Sequence, residues 1–412
     1  MPRERDSWVF VLTLLAATSV LISIAAAETF LAMAFLAAII TRRGRLALPS
    51  YMIPLCAFMV TTILALLMSP QPDVGMGAVR KFVLFTMGIL AANLVNTPSR
   101  ARISVAVLLG VAAATSVFAL VQFGIAYSRF LATQSLADDP TVLARITGFM
   151  GHWMTFSGEL MLVWCAAVPA ILTLGKRWMI PLGIVGTALV LTFTRSVWLG
   201  AIAGFVVIMF LMPRKLWIGV VAPIAFVAVV TSGLIVHRVA LSFQQQGFAP
   251  DTARLELFIG GVRMIKDHPL FGVGPERIHT EFPRYYRGSD LKSANFYYGH
   301  LENNVLQLAA ERGLPCLAAF LWFIFEIYAR LLGLLRNAGS DSRWIVLAAL
   351  SALTGFMISG FLNYNFGDSE VLLLLLFILL FFWFYLTCLS INLLAVNYGM
   401  RRILLHGLCS RQ

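Results

Sequence analysis

Apolar residues along this chain come in long unbroken runs, not in alternation. The runs cover about 8–26, 28–41, 51–68, 79–96, 103–126, 157–174, 178–194, 196–212, 216–236, 305–329, 344–362 and 370–395. A bilayer core takes roughly 20 apolar residues per helix, so most of these runs are long enough to cross it. Runs 28–41 and 178–194 are short for a full span. The pattern predicts an all-α, polytopic integral membrane protein with about 12 transmembrane helices. A membrane barrel needs short alternating segments, which the pattern excludes.

The cations between the runs orient the helices. With the N-terminus in the cytoplasm, the cytoplasmic segments hold 17 of the 31 Lys and Arg residues. Each such segment carries at least two, among them Arg42, Arg43 and Arg45, Lys176 and Arg177, and Arg401 and Arg402. The short outer loops hold only Arg80, Lys81, Arg129, Arg145 and Arg195. An excess of cations in cytoplasmic loops is the usual rule, so both termini are expected inside. Met1–Ser7 is charged, and Ala25-Ala26-Ala27 resembles a signal-peptide cleavage site. Because this topology needs the first helix, we read it as an uncleaved span.

Two outer stretches are long, about 127–156 and 237–304. The second has apolar residues at helical spacing from Arg254 to Lys266, which predicts a short amphipathic helix ending at Asp267-His268-Pro269. A Gly-rich turn, Phe271–Pro275, follows, and then the aromatics Tyr285, Tyr286, Phe296, Tyr297 and Tyr298. The chain divides into 1–236 (helices 1–9), 237–304 (a long periplasmic loop) and 305–412 (helices 10–12 and a cytoplasmic tail).

Composition agrees. The 412 residues are 60% hydrophobic and 12% charged, about half the charged share of a soluble domain. The net charge of +12 does not signal nucleic acid, because the cations lie in small clusters between apolar runs. Membrane lipids or a phosphorylated substrate suit that distribution better. Five cysteines, four of them in apolar runs, form neither a disulfide framework nor a metal spacing. His268 and His279 have no companions at ligand spacing, so no metal and no cofactor is expected.

The chemistry-bearing residues fall mainly on the outer side. Arg195 sits between two apolar runs with almost no loop, where a charge is costly and commonly functional; the plainer reading is an interfacial anchor. Arg254, Arg263, Lys266, Arg277, Arg284, Arg287 and Lys292 make a basic outer segment suited to phosphate oxygens. Arg254 opens the amphipathic helix, and Arg263, nine residues on, is expected on a nearby face. In Tyr298-Gly-His-Leu-Glu-Asn-Asn304, a neutral His300 or an ionised Glu302 has the chemistry to take a proton from a sugar hydroxyl, and Asn303 to orient either. Helix capping is the plainer role of Asn303 or Asn304. Arg80 starts the fourth span beside Lys81. His152, Thr155 and Glu159 enter the sixth, and Asn363, Asn365, Asp368 and Glu370 fill the last outer turn.

Several ordered motifs resemble the O-antigen ligase family, within the wider superfamily of lipid-linked oligosaccharide polymerases. They are Arg145-Ile-Thr-Gly-Phe-Met-Gly-His-Trp-Met-Thr-Phe156, Thr192-Phe-Thr-Arg-Ser-Val-Trp-Leu-Gly200, Ala253-Arg254 with Asp267-His-Pro-Leu-Phe-Gly-Val-Gly-Pro275, and Asn303-Asn-Val-Leu-Gln-Leu-Ala-Ala-Glu-Arg-Gly-Leu-Pro315. The resemblance implies a metal-independent membrane glycosyltransferase in the bacterial inner membrane. It would move a glycan from undecaprenyl diphosphate to a lipid A-core acceptor on the periplasmic face. It implies catalytic roles for Glu302 or His300, Arg195 and Arg254, and substrate contacts from Arg263, Lys266, Arg80, His152 and Asn303. The family pattern is His-Asn, nine residues, then Gly. Asn303 and Gly313 fit, but the His position holds Glu302. Either Glu302 is the base, or His300 reaches the same place, or the chain is impaired. A lipid-linked oligosaccharide polymerase is one alternative, and a small-anion transporter of the bicarbonate type is another.

Overall fold

The computed structural model describes residues 2–42, 48–135, 145–212, 252–287 and 298–379, with residues 46, 139 and part of 221–237. The regular structure among the described residues is helical, without strands. The helices are α1 (Pro2–Ser19), α2 (Ile24–Arg42), α3 (Met52–Leu67), α4 (Met76–Arg80), α5 (Thr86–Leu94), α6 (Pro98–Thr133), α7 (Trp153–Leu174), α8 (Met179–Leu191) and α9 (Arg195–Leu211). After them come α10 (Thr252–Asp267), α11 (Ile278–Tyr285), α12 (Asn304–Asn337), α13 (Ser340–Gly360) and α14 (Ser369–Leu379).

Each apolar run outside 216–236 corresponds to one of these helices, with α4, a 3-10 turn (Lys81–Phe85) and α5 together filling run 79–96. Among the described residues, six helices are long and apolar enough to cross a membrane: Ile24–Thr41, Met76–Leu94, Pro98–Thr133, Trp153–Ile171, Asn304–Arg336 and Ser342–Gly360. Four shorter apolar helices accompany them, Ser7–Ser19, Met52–Leu67, Arg195–Leu211 and Ser369–Leu379. The amphipathic helix expected from Arg254 to Lys266 is α10. Two elements extend well past the C-terminal ends of their apolar runs. Helix α6 continues to Thr133, into the stretch read as loop, and α12 continues to Asn337. Apolar composition ended both readings early, whereas backbone hydrogen bonding carries a helix on into water. The C-terminal part of the last run and the tail lie outside the described residues.

Helix α7 is the centre of the bundle, with 94% of its apolar window buried. It packs against α13, α9, α6, α8 and α14. Small residues bring α9 and α13 together. A Cβ on Gly200 would lie 2.5 Å from the Gly355 carbonyl oxygen, and one on Gly204 would lie 2.8 Å from that of Ser351. Such close contact replaces the hydrophobic drive that lipid does not supply.

Helix α12 is broken. Gly313 takes φ 82°, and Pro315 lacks the N–H that would close the next turn. The freed backbone groups are taken up by the segment 269–275. Val273 N donates to Ala310 O (2.8 Å), Gly274 N to Glu311 O (3.0 Å), and Leu314 N to Pro269 O (2.8 Å). Gly272 (φ 64°) packs so tightly on the Glu311 backbone that a side chain would collide with it. A broken helix is tolerated at membrane depth only where protein satisfies the freed groups, and this loop does so.

Candidate active site at one end of the bundle

Several helix ends meet at one end of the bundle. Thr155 on the first turn of α7 donates to Asp368 Oδ2 (3.3 Å) beyond α13. Asn303 Nδ2 donates to Phe361 O (2.9 Å), tying the start of α12 to the end of α13. Lys81 Nζ donates to Gly367 O (2.6 Å). Arg195 is the first residue of α9, about five residues beyond the Gly200 contact with Gly355 and Ser359, so it also lies at this end. The opposite end gathers Arg343, which donates to Leu211 O (3.0 Å), and Arg100, which covers the Phe10 ring at 4.9 Å. These contacts bring the starts of α7, α9 and α12 and the turn after α13 to one end of the bundle.

The 298–304 segment is the chemical centre of that end. His300 Nδ1 lies 3.5 Å from Glu302 Oε1. The His300 ring also approaches Tyr364, with centroids 6.0 Å apart. Burial lowers the His300 pKa to about 4, helped by the charge of His152, so His300 is neutral near neutral pH. Glu302 has φ 50°, the left-handed region that a residue with a Cβ enters at a cost of roughly 1–2 kcal/mol. Strain of this kind survives only where neighbours over-determine it. They do so here: Leu301 N donates to Gln307 Oε1 (2.7 Å), and Leu306 N donates to Asn303 Oδ1 (2.9 Å).

Asn303 is therefore the N-cap of α12, with both side-chain ends engaged. The plainer reading holds for it, and a substrate contact through that amide is not what its geometry offers. His152 is likewise the N-cap of α7, its Nδ1 accepting from Met154 N (3.2 Å), with Nε2 facing away. Burial, and then the nearby charge of Arg145, lower its pKa.

The basic segment separates into two kinds of residue. Arg254 and Lys266 are exposed on α10. Arg254 precedes Gly261 by two helical turns and shares its stripe, and Gly261 packs on Leu301 and Leu306. Arg263 is a correction: nine residues at about 100° each is half a turn, so it lies opposite Arg254, not near it. Its Nη1 donates to Tyr285 O (2.9 Å). Arg277 is buried and pairs with Glu281 at 2.5 Å, and Arg284 pairs with the same carboxylate at 2.7 Å. Arg80 is exposed at the end of α4. Lys292 lies outside the described residues.

Sequence reasoning passed over the buried side chains behind the site. Gln307 Nε2 donates to Glu311 Oε1 (2.8 Å), which also accepts from Glu276 N (3.1 Å). Arg312 Nη1 donates to Thr62 Oγ1 (3.4 Å), and its guanidinium covers the Phe58 ring at 5.5 Å. A small cavity beside it is lined by Lys81, Arg312, Tyr364 and Gly367 among phenylalanines. The signal was present: an acid and a base in an apolar run are costly unless partnered. Among the described residues, no group of three His, Cys, Asp or Glu side chains could hold a metal ion.

Residues 180–321 match the family model described as O-antigen ligase. The match runs from α8 past the break in α12 and contains Arg195, Arg254, His300, Glu302 and Gln307. No curated protein matches the chain. The stretch 180–321 is thus similar to an O-antigen ligase domain, in a chain with several membrane-type helices. Nothing in this match supports an anion transporter.

Proposed function

We propose that this protein is a ligase that transfers a glycan from undecaprenyl diphosphate to a sugar of a lipid A-core acceptor. Support comes above all from one observation: the His300–Glu302 pair and Arg195 lie at the same end of the bundle, inside the stretch that matches the O-antigen ligase model.

In this reading the acceptor hydroxyl oxygen attacks the anomeric carbon of the donor. The new C–O bond forms as the bond from that carbon to the diphosphate oxygen breaks. The hydroxyl proton passes to Glu302 or His300, and undecaprenyl diphosphate leaves. Its negative charge grows along the reaction, so fixed cations stabilise the transition state more than the ground state. Arg195 and Arg254 take that role, with Lys266, Arg80 and His152 as further contacts to donor or acceptor. Arg side chains supply this stabilisation without a metal ion.

The same reading puts the site on the periplasmic face of the bacterial inner membrane. It retains about 12 spans, both termini in the cytoplasm, and 237–304 as the long periplasmic segment. Incubating the purified protein in detergent with lipid-linked glycan and lipid A-core tests it. A single added glycan per acceptor, formed in excess EDTA, supports the ligase. A ladder growing on the carrier lipid instead marks a polymerase.

A further inference from the structure

We infer that Gln307 is a positioning residue, whose amide, oriented by Glu311, holds the Leu301 backbone so that His300 and Glu302 face one another. The inference rests on the proposed role of the 300–302 segment in taking the acceptor proton.

The geometry is directional. Gln307 is 1% exposed and sits one turn into α12. Glu311 Oε1 also accepts from the Glu276 backbone N–H, which can only donate, so this oxygen is an acceptor and selects the Nε2 end of the Gln307 amide. The Oε1 end is then left to face Leu301 N, at 2.7 Å. Leu301 lies between His300 and Glu302, so fixing its N–H limits the rotation of the peptide joining the two groups. The left-handed Glu302 follows directly, and Asn303 pins its other side through Leu306 N and Phe361 O.

Glu311 carries the link further. Its Oε1 also accepts from Glu276 N, while its backbone oxygen accepts from Gly274 N. The 300–302 segment, the first half of α12 and the 269–277 segment are thus joined by one set of hydrogen bonds. The break at Gly313 makes this useful. The short half-helix 304–312 is separated from the longer half of α12, and the Gln307–Glu311 link keeps it in register with the segment on which the site depends.

The test follows the His300 ring by NMR in full-length protein with isotope-labelled histidine, held in detergent. It compares wild type, Gln307→Leu and Gln307→Met. Wild-type His300 titrates well below an ordinary histidine. Gln307→Leu frees Leu301 N, and the ring then titrates at least one pH unit nearer the ordinary value; Gln307→Met, of similar length but unable to donate to Glu311 or to accept well from Leu301 N, shifts it in the same direction. In the ligation assay, Gln307→Leu lowers kcat at least tenfold with KM for the donor within about twofold. An unchanged His300 titration in folded Gln307→Leu overturns the inference, whether or not the protein ligates glycans. Should Gln307→Leu not fold, Gln307→Met decides by the same criterion. Absence of ligation by wild type, with the titration shift present, overturns the proposed function and leaves the positioning role standing.

Discussion

His300 Nδ1 and Glu302 Oε1 lie 3.5 Å apart across a backbone that is left-handed at Glu302. The two groups that the sequence offered as competing bases are thus neighbours in one arrangement. A carboxylate beside a neutral imidazole can receive a proton on either group, so each substitution is informative. Glu302→Gln is expected to lower turnover by about 10²- to 10⁴-fold, the range for losing a general base. His300→Ala lowers it less if Glu302 is the base and as much if the imidazole is. Glu302→His restores the family pattern at that position and is expected to retain transfer. Turnover with the three variants, at matched folded fractions, measures this.

The strain at Glu302 gives a separate prediction on stability. Glycine removes the left-handed penalty of roughly 1–2 kcal/mol but adds unfolded-state entropy worth roughly 0.5–1 kcal/mol. Glu302→Gly is therefore expected to raise stability by about 0.5–1 kcal/mol while abolishing transfer. Thermal unfolding in detergent checks it. A destabilised Glu302→Gly would mean that the carboxylate holds the fold and not the chemistry.

The cations separate by environment. Arg195→Ala and Arg254→Ala are each expected to lower kcat by about 10²-fold or more with little change in thermal stability, as for a lost transition-state charge partner. Arg277→Ala removes the buried partner of Glu281 and leaves that carboxylate to the exposed Arg284 alone, so it is expected to lower stability with turnover affected less. Arg263→Ala is expected to affect α10 and α11 packing more than turnover, because its guanidinium is tied to Tyr285 O. Parallel kinetics and melting curves distinguish the two groups.

Much of this was legible in the sequence. The apolar runs located the helices, because burying side chains in lipid demands continuous apolar stretches. Arg195, Arg254 and the 300–302 segment stood out as polar groups beside apolar runs. Asn303 was equally legible as a cap or a ligand, and only the Leu306 N and Phe361 O contacts decide for the cap. Arg263 was misjudged through its angular offset. Gln307 and Glu311 were not legible as a link, since their partners, Leu301 N and Glu276 N, are backbone groups set by the break at Gly313. Pairing of a loop backbone with a broken helix leaves no periodic trace, only scattered glycines and a proline.

Those glycines carry a prediction of their own. Gly313 and Gly272 both have positive φ and face backbone at a distance that leaves no room for a methyl group. Gly313→Ala and Gly272→Ala are each expected to destabilise the protein by about 2–4 kcal/mol, combining backbone strain with overpacking. Gly339→Ala, where a Cβ meets nothing within 4 Å, serves as the control. Detergent-phase melting temperature and monodispersity report the difference.

Two groups at the site give opposite pH dependences. Burial, and then Glu370, raise the Asp368 pKa to about 6. Its folded value exceeds its unfolded one, so its stabilisation is present below about pH 4 and lost as pH rises through 6. The His300 pKa is lowered to about 4, so its stabilisation is present above pH 6.5 and lost as pH falls toward 4. Asp368→Asn is expected to raise the melting temperature at pH 7.5 and to lose that gain by pH 4. His300→Gln is expected to reduce the fall in melting temperature between pH 7 and pH 5.

The central claim is that a glycan is transferred at the bundle end where Arg195 and the His300–Glu302 pair lie. Its most direct measurement is ligation of purified undecaprenyl-diphosphate-linked glycan to lipid A-core by wild type, Glu302→Gln and Arg195→Ala in detergent. Wild type is expected to place glycan on the acceptor, and each folded variant to lose about 10²-fold or more of that activity. Full ligation by both folded variants, or none by wild type with both substrates present, would contradict it.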